Sequence, residues 1–304
     1  MEFRQLQYVL TIAQEHTLIA AAEKLFLSPS ALSQHISKLE QSLHTSLFNR
    51  TKQGWVPTHA GRIYIDMAAR ILDIQKKAYV QISDITNNAE SSIIVGVTPG
   101  RGTLMFSQVF PVFKTLYPDV NIGLVEGTVS QICQQIEANK IDIGFITGCI
   151  EHPNVVAIPQ ATEEILLMVP NSHPLSALSQ NAPEDDYATV DLELFAEDEF
   201  LLAGEGTTLR TLSDSLFAQA GFTPKIAFET PSLQTLNTLA KSGYGLALHP
   251  RFYADKVDTA VYFHTSPSVS WTLEAAYRKG HYITKAEQHL IELATKFYQS
   301  SKKG

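Results

Sequence analysis

Apolar positions along residues 3–48 recur at intervals of three and four, the spacing of one face of an α-helix. Phe3, Leu6, Leu10 and Ala13 make one such row. A second, short helix is predicted to start at Thr17, whose hydroxyl suits an N-cap, and to run through Ala20-Ala21-Ala22-Glu23-Lys24. After Phe26-Leu27, Ser28 supplies another cap, and Pro29 fits the first helical position, where no amide hydrogen bond is lost. The third helix is expected to bury Leu32, Ile36, Leu39 and Leu43 and to present Ser30, Ser33, Gln34, Ser37 and Lys38 on its other face. Residues 47–58 then read as strand, Gly54-containing turn and strand. Thr58 can cap a long, proline-free helix reaching about Asn88, roughly 45 Å at about 1.5 Å per residue. Along it Tyr64, Met67, Ile71, Ile74 and Ala78 alternate three and four apart, close to a heptad seam, and Ile82 and Ile85 continue the row after one slip.

From Ser92 the period changes. Residues 93–97 read as a strand, 104–117 as a helix stopped by Pro118, 120–125 as a strand, 129–138 as a helix and 141–146 as a strand. The alternation returns with strands at 200–202, 226–229 and 246–249 and helices at 209–220 and 232–242. Such alternation predicts an α/β architecture in two halves with a largely parallel sheet. The chain is expected to cross between halves near 164–170 and to return near 264–268, leaving 284–298 as a last helix on the first half. The organisation is therefore an all-α part with a hairpin over 1–58, a linker helix over 59–90, and an α/β domain over 91–304. Within that domain the first half takes 91–163 with 266–304, and the second takes 164–265.

The polar face of the third helix is the first chemical signal. Short side chains let a helix approach base edges in the major groove, and glutamine pairs bidentately with adenine. A short helix, a tight turn, a second helix with a polar start and an adjoining hairpin make a winged helix-turn-helix. Ser28, Pro29, Ser30, Ser33, Gln34 and Ser37 are the candidates beside base edges. Thr17 and Lys38, with Arg50 and Lys52 of the hairpin, are the candidates for phosphates.

These residues resemble the LysR-type transcriptional regulators. The resemblance rests on Leu18, Ala21-Ala22-Glu23-Lys24-Leu25, Ser28, Ala31-Leu32-Ser33, Ile36, Leu39-Glu40, Leu43, Leu47-Phe48, Arg50, Pro57-Thr58 and Ala60-Gly61, in that order. Three positions depart from the family pattern: Ala20 where Arg is frequent, His44 in place of a usual Gly, and Pro29-Ser30 in place of a polar residue followed by Pro. The resemblance implies a linker helix that dimerises, and a two-subdomain effector domain of the periplasmic-binding-protein type, with a small effector between the halves. It also implies double-stranded DNA and further copies of the chain, as homodimer or homotetramer, as partners. RNA polymerase is an additional candidate partner.

Net charge taken whole opposes this reading, since the chain carries 23 Lys and Arg against 31 Asp and Glu, a formal −8. The distribution reverses the impression. Residues 1–90 are nearly balanced, with nine basic against eight acidic residues, whereas residues 141–209 hold thirteen Asp and Glu and no Lys or Arg. That acidic face keeps the second part away from phosphates.

In open α/β sheets ligands lie beyond the carboxyl ends of the strands. Candidate effector residues there are Thr98, Pro99, Gly100 and Arg101, then Thr128, then Gly204 and Glu205, then Thr230 and Ser232. Amides at helix starts favour anions. Arg101 and Glu205 on facing loops would together suit a zwitterion.

No G-x-S-x-G elbow, H-E-x-x-H pair or phosphate loop is present, so no catalytic residue, cofactor or metal is expected and the chain reads as a non-enzyme. Two cysteines, Cys133 and Cys149, are too few for a disulfide framework and read as small packing residues. The opening residues lack a basic-then-apolar leader pattern, and a cytoplasmic, membrane-free protein is expected. The alternative is a small-solute-binding protein of the periplasmic type, against which the first ninety residues argue.

Overall fold

The computed structural model describes residues 2–51, 54–86, 92–148, 152–184, 186–254 and 259–300, so Lys52, Cys149 and Asp185 lie outside the described residues. The chain divides into two compact units, residues 1–88 and 89–304. No helix among the described residues is long and apolar enough to cross a membrane.

The first unit begins with α1 (Phe3–Glu15), α2 (Leu18–Lys24) and α3 (Pro29–Leu43). The Thr17 hydroxyl accepts the Ala20 amide and that of Ser28 accepts the Ala31 amide, so both short polar residues start helices as their chemistry dictates. The core of this unit gathers Val9, Ile12, Ala21, Ala22, Leu32, Ile36, Leu39 and Leu47. Two expectations fail here. The buried face of α1 is Leu6, Val9 and Ile12, and Phe3 is half exposed at 49 %, because the packed stripe lies one residue round from the row read in the sequence. Leu43 is 40 % exposed, since α3 ends there on a left-handed His44 (φ 53°) and runs past the reach of the core.

A hairpin of β1 (Phe48–Thr51) and β2 (Gly54–Pro57) follows, with Arg50 opposite Trp55. The long helix α4 (His59–Thr86) starts under Thr58, whose Oγ1 donates to the Ser46 carbonyl at 2.7 Å and accepts the Gly61 amide at 2.9 Å. Tyr64 is half buried against the head core rather than on the seam. Ile63, Met67, Ile74, Ala78 and Ile82 are exposed along one side of α4, with Ile71 half buried beside them, and the Ile85 side chain lies outside the described residues.

The second unit runs β3 (Ser92–Val97), α5 (Arg101–Leu116), β4 (Asn121–Glu126), α6 (Val129–Glu137) and β5 (Ile143–Thr147). The long strand β6 (Val155–Pro170) then leads to β7 (Ala188–Asp191), β8 (Glu199–Ala203), α7 (Thr208–Gln219), β9 (Lys225–Thr230), α8 (Leu233–Lys241) and β10 (Leu246–Pro250). The chain closes with β11 (Ala260–Ser266), β12 (Val269–Arg278) and α9 (Lys285–Ser300). The strands form one sheet ordered β4-β3-β5-β12-β6-β10-β8-β9, with β11 beside β6 and β7.

Among the described residues three buried clusters sit on this sheet, one around Val95, Phe113, Phe145 and Leu290, one around Leu167, Phe200, Phe217 and Phe263, and a smaller one around Ile132, Ile136 and Ile146. The two halves are joined by continuous strands. A single strand β6 passes from one half into the other, pairing β12 antiparallel from Val155 to Ile165 and then β10 and β11. The return is β12 itself, which pairs β5 through Leu273–Ala276.

Candidate functional site

On the first unit, α3 turns its apolar face inward and leaves Ser30, Gln34 and Lys38 exposed and Ser33 and Ser37 half exposed. Ser28 and Ser30 hydroxyls lie 3.1 Å apart at the start of this face. On the hairpin, the exposed Arg50 guanidinium stands 4.7 Å over the Trp55 ring, which fixes an otherwise mobile cation on the strand pair. The Thr17 hydroxyl accepts the Ala20 amide of its own helix.

In the second unit the carboxyl ends of β3, β5 and β8 and the segment after β9 line a cavity of about 110 Å³ that is open on one side. The first half contributes Thr98, Pro99, Arg101, Thr128, Val129 and Thr147 to its wall. The second half contributes Ala203, Gly206 to Leu209, Pro231 and Leu233, and Trp271 of β12 stands between. The starts of α5, α6 and α7 converge here. Thr128 caps α6 by accepting the Gln131 amide, and Thr207 caps α7 by accepting the Arg210 amide. Thr208 Oγ1 donates to the Thr147 carbonyl at 2.8 Å, a direct hydrogen bond from one half to the other. The Thr98 hydroxyl is buried and has no partner.

Of the residues expected from the sequence, Thr98, Pro99, Arg101 and Thr128 line this cavity, while Gly100, Gly204, Glu205, Thr230 and Ser232 are not among its lining residues. Gly100 has φ 81° and packs toward Leu233 and Tyr253, Gly204 packs against Pro231, Thr230 accepts the Ser232 amide, and Ser232 caps α8. The zwitterion reading needed Arg101 and Glu205 free to face a ligand. Glu205 is exposed and is not among the lining residues, and Arg101 is 2 % exposed with its Nε donating to Glu163 Oε2 at 3.2 Å. The guanidinium carbon lies over Phe252, 3.7 Å from the ring centre. Glu163 also accepts the Trp271 indole at 2.8 Å and the Phe252 amide at 3.0 Å. Sequence reading missed Thr147, Glu163 and Trp271, and of the candidate loop 203–208 it took Gly204 and Glu205 in place of Thr207 and Thr208. The Thr207-Thr208 pair following Gly-Glu-Gly was a visible capping signal; Glu163 and Trp271 lie on β6 and β12, whose pairing no local pattern announces.

A third cluster sits beside the crossing. His264 bridges Glu164 (2.8 Å to Nδ1) and Asp186 (2.9 Å to Nε2), and Arg251 donates to Asp186 at 3.0 Å. Burial pulls the His264 pKa down, but hydrogen bonds to Asp186 and Glu164 outweigh it and hold the imidazole above its ordinary value. The same His264 bond is the main reason that the Asp186 carboxyl is held down to about 2. Burial, and next the nearby Glu274, pushes the Cys133 thiol up, which suits an inert packing residue.

A winged helix-turn-helix head and a two-half α/β unit closed around a cleft are the parts of a ligand-responsive DNA-binding regulator. Family models agree with this division. Residues 3–62 match the bacterial regulatory helix-turn-helix protein, lysR family, and residues 87–299 match the LysR substrate binding domain. The chain belongs to the LysR family of transcriptional regulators. It is 26 % identical to YcgK of Bacillus subtilis (strain 168), described as an uncharacterized HTH-type transcriptional regulator, over 97 % of this chain and 94 % of that protein. Its fold is similar to that of a full-length OxyR point variant from Pseudomonas aeruginosa, with TM-score 0.67 and 22 % identity, covering 100 % of this chain and 98 % of that one. It is also similar to full-length CbnR complexed with its target DNA, with TM-score 0.55 and 20 % identity, covering 99 % and 100 %.

Proposed function

We propose that this regulator reads duplex DNA with Ser28, Pro29, Ser30, Ser33, Gln34 and Ser37 of the α3 face near base edges. Thr17, Lys38 and Arg50 stand toward phosphates, with Lys52, outside the described residues, as a further candidate. Copies of the chain join through the exposed apolar row of α4 as a homodimer or homotetramer, so that two heads read paired half-sites. The protein acts in the cytoplasm and is not an enzyme. The effector is a small molecule in the cleft cavity, held by an acceptor group against the Thr98 hydroxyl and the starts of α5, α6 and α7. Thr98, Pro99, Arg101 and Thr128 form its wall from one half, and Thr207, Thr208 and Pro231 from the other. Arg101 acts there as a packed, Glu163-paired wall; Gly100, Gly204, Glu205, Thr230 and Ser232 shape the surrounding loops.

The observation that carries this reading is the open cleft cavity between halves, with a buried, unpartnered hydroxyl in its wall. The solution of the CbnR structure with its target DNA supports the role given to the head. Fluorescence anisotropy on a duplex from upstream of the protein's own gene tests it. Gln34→Ala should cost about 1–3 kcal/mol on that duplex and leave an unrelated duplex unchanged. Equal loss on both duplexes would remove Gln34 from sequence reading.

A further inference from the structure

We propose that the effector of this chain is an uncharged molecule, a compact apolar body bearing one hydrogen-bonding oxygen, as in an amide, ketone or alcohol. The inference rests on the reading of the cleft as the effector site and names the chemical class that the cleft takes. The size follows from the cavity, whose volume of about 110 Å³ falls below the roughly 150 Å³ that admits benzene.

Charge decides the class. Among the described lining residues only Arg101 can ionise, and its guanidinium belongs to the far side of the wall. Its Nε donates to Glu163, and its central carbon stands 3.7 Å from the ring centre of Phe252 and 5.4 Å from that of Tyr298; none of these three residues lines the cleft. The pair is buried on both sides, Arg101 at 2 % and Glu163 at 9 % exposed, and adds no net charge to the wall. A carboxylate entering the cleft would give up water and meet no unpaired cation, and an ammonium would meet no carboxylate. The starts of α5, α6 and α7 attract an anion only weakly where they are open to water. Their third amides are already spent, Thr103 on the Thr98 carbonyl, Gln131 on Thr128 Oγ1 and Arg210 on Thr207 Oγ1. The thirteen acidic residues of 141–209, with no Lys or Arg among them, oppose an anion further.

Hydrogen bonding then fixes the single oxygen. Thr207 Oγ1 donates to the Gly204 carbonyl and Thr208 Oγ1 to the Thr147 carbonyl, so neither has a proton to give. Thr98 differs, being 7 % exposed with a buried hydroxyl that has no partner, a costly state that one neutral oxygen relieves. Around it Pro99, Val129, Leu209, Pro231, Leu233 and the Trp271 ring, whose indole N–H is taken by Glu163, leave only apolar surface for the body.

Ligand-observed NMR titration of the full chain tests the proposal with three molecules of one shape: neutral isobutyramide, anionic isobutyrate and cationic isobutyramidinium. The amide should bind at least tenfold more tightly than either ion. Thr98→Val should weaken the amide at least fivefold, and Thr98→Ser, which keeps the hydroxyl, should hold it within twofold of the parent chain. Pro231→Trp and Leu233→Trp, which fill the cleft from its second half, should each weaken the amide at least tenfold. An ion that binds as tightly as the amide or more so, and is lost in both tryptophan variants, overturns the neutral class and leaves the cleft as the effector site. Binding of none of the three, or binding that survives both tryptophan variants, overturns the reading of the cleft and the proposal with it. Unchanged amide affinity in Thr98→Val overturns the assignment of its oxygen to that hydroxyl.

Discussion

Replacing Gly61 by Ala sets two physical effects of opposite sign against each other. Judged by helix propensity alone, Gly to Ala inside α4 stabilises by about 1 kcal/mol. The structure predicts the reverse. A Cβ at position 61 would stand 2.0 Å from the Leu47 carbonyl oxygen and 3.0 Å from its carbon, both backbone atoms that cannot rotate away. Ordinary carbon–oxygen contacts begin near about 3.3 Å, so the start of α4 must withdraw by more than about 1 Å. That start is held by the Thr58 amide on the Leu47 carbonyl (2.9 Å), Thr58 Oγ1 on the Ser46 carbonyl (2.7 Å) and the Gly61 amide on Thr58 Oγ1 (2.9 Å). Losing these three bonds at about 1 kcal/mol each outweighs the propensity gain and leaves a net loss of about 2 kcal/mol. Trp55 reports on the head, and since the chain has only two tryptophans, a Trp271→Phe background makes it the sole indole. Urea unfolding followed by Trp55 fluorescence should show the midpoint falling by about 1–2 M for m near ~1–2 kcal/mol/M. An unchanged or raised midpoint would refute the close-approach argument.

Further outcomes follow from the same structure. Arg50→Ala should weaken binding to upstream and unrelated duplexes alike and reduce the salt slope by about 1, and an unchanged slope would exclude a phosphate contact. Ile74→Asp places a charge on the exposed row of α4 and should shift sedimentation toward monomer at micromolar concentration; an unaltered assembly would move the dimer contact elsewhere. The His264 bridge stabilises the second unit fully below the ordinary histidine value of about 6.5 and loses that contribution as pH rises through its raised folded value. Asp186, held down to about 2, contributes above the ordinary value of about 3.9 and loses it as pH falls toward its folded value. The bridge is therefore strongest between about pH 4 and 6.5, and His264→Gln should narrow its Tm deficit against the parent chain above that window. Two Tm curves that stay parallel from pH 5 to 9 would contradict this assignment.

The sequence was most legible where one residue decides its own surroundings. Thr17, Ser28, Thr58 and Thr128 cap helices as their side chains require, and the hairpin around Gly54 follows from its turn and flanking apolar residues. It was least legible where a partner is distant. Residues 155–164, with two glutamates and Pro159, show no strand pattern because this part of β6 is only partly covered; the strand becomes fully buried at Ile165. With that half of β6 unseen, Glu163 could not be matched to Arg101, and Arg101 in its Gly-flanked loop looked like a free cation waiting for a ligand. Periodicity likewise locates an apolar face without saying how far the core beneath it extends, which is why Leu43 and Phe3 reach solvent.

The pairing of β6 with β12 has a mechanical consequence. Ten residue pairs join these two strands from Val155–Arg278 to Ile165–Val269, and both strands belong to the sheet on either side of the cleft. The halves are thus connected by a torsion bar instead of a pair of loose strings. Swinging them apart would tear ladder hydrogen bonds, whereas twisting the ribbon about its own length keeps every one of them. A relative motion of the halves would therefore be taken up as twist, with the register shift between Leu273 and Glu274 as the one interruption along the bar.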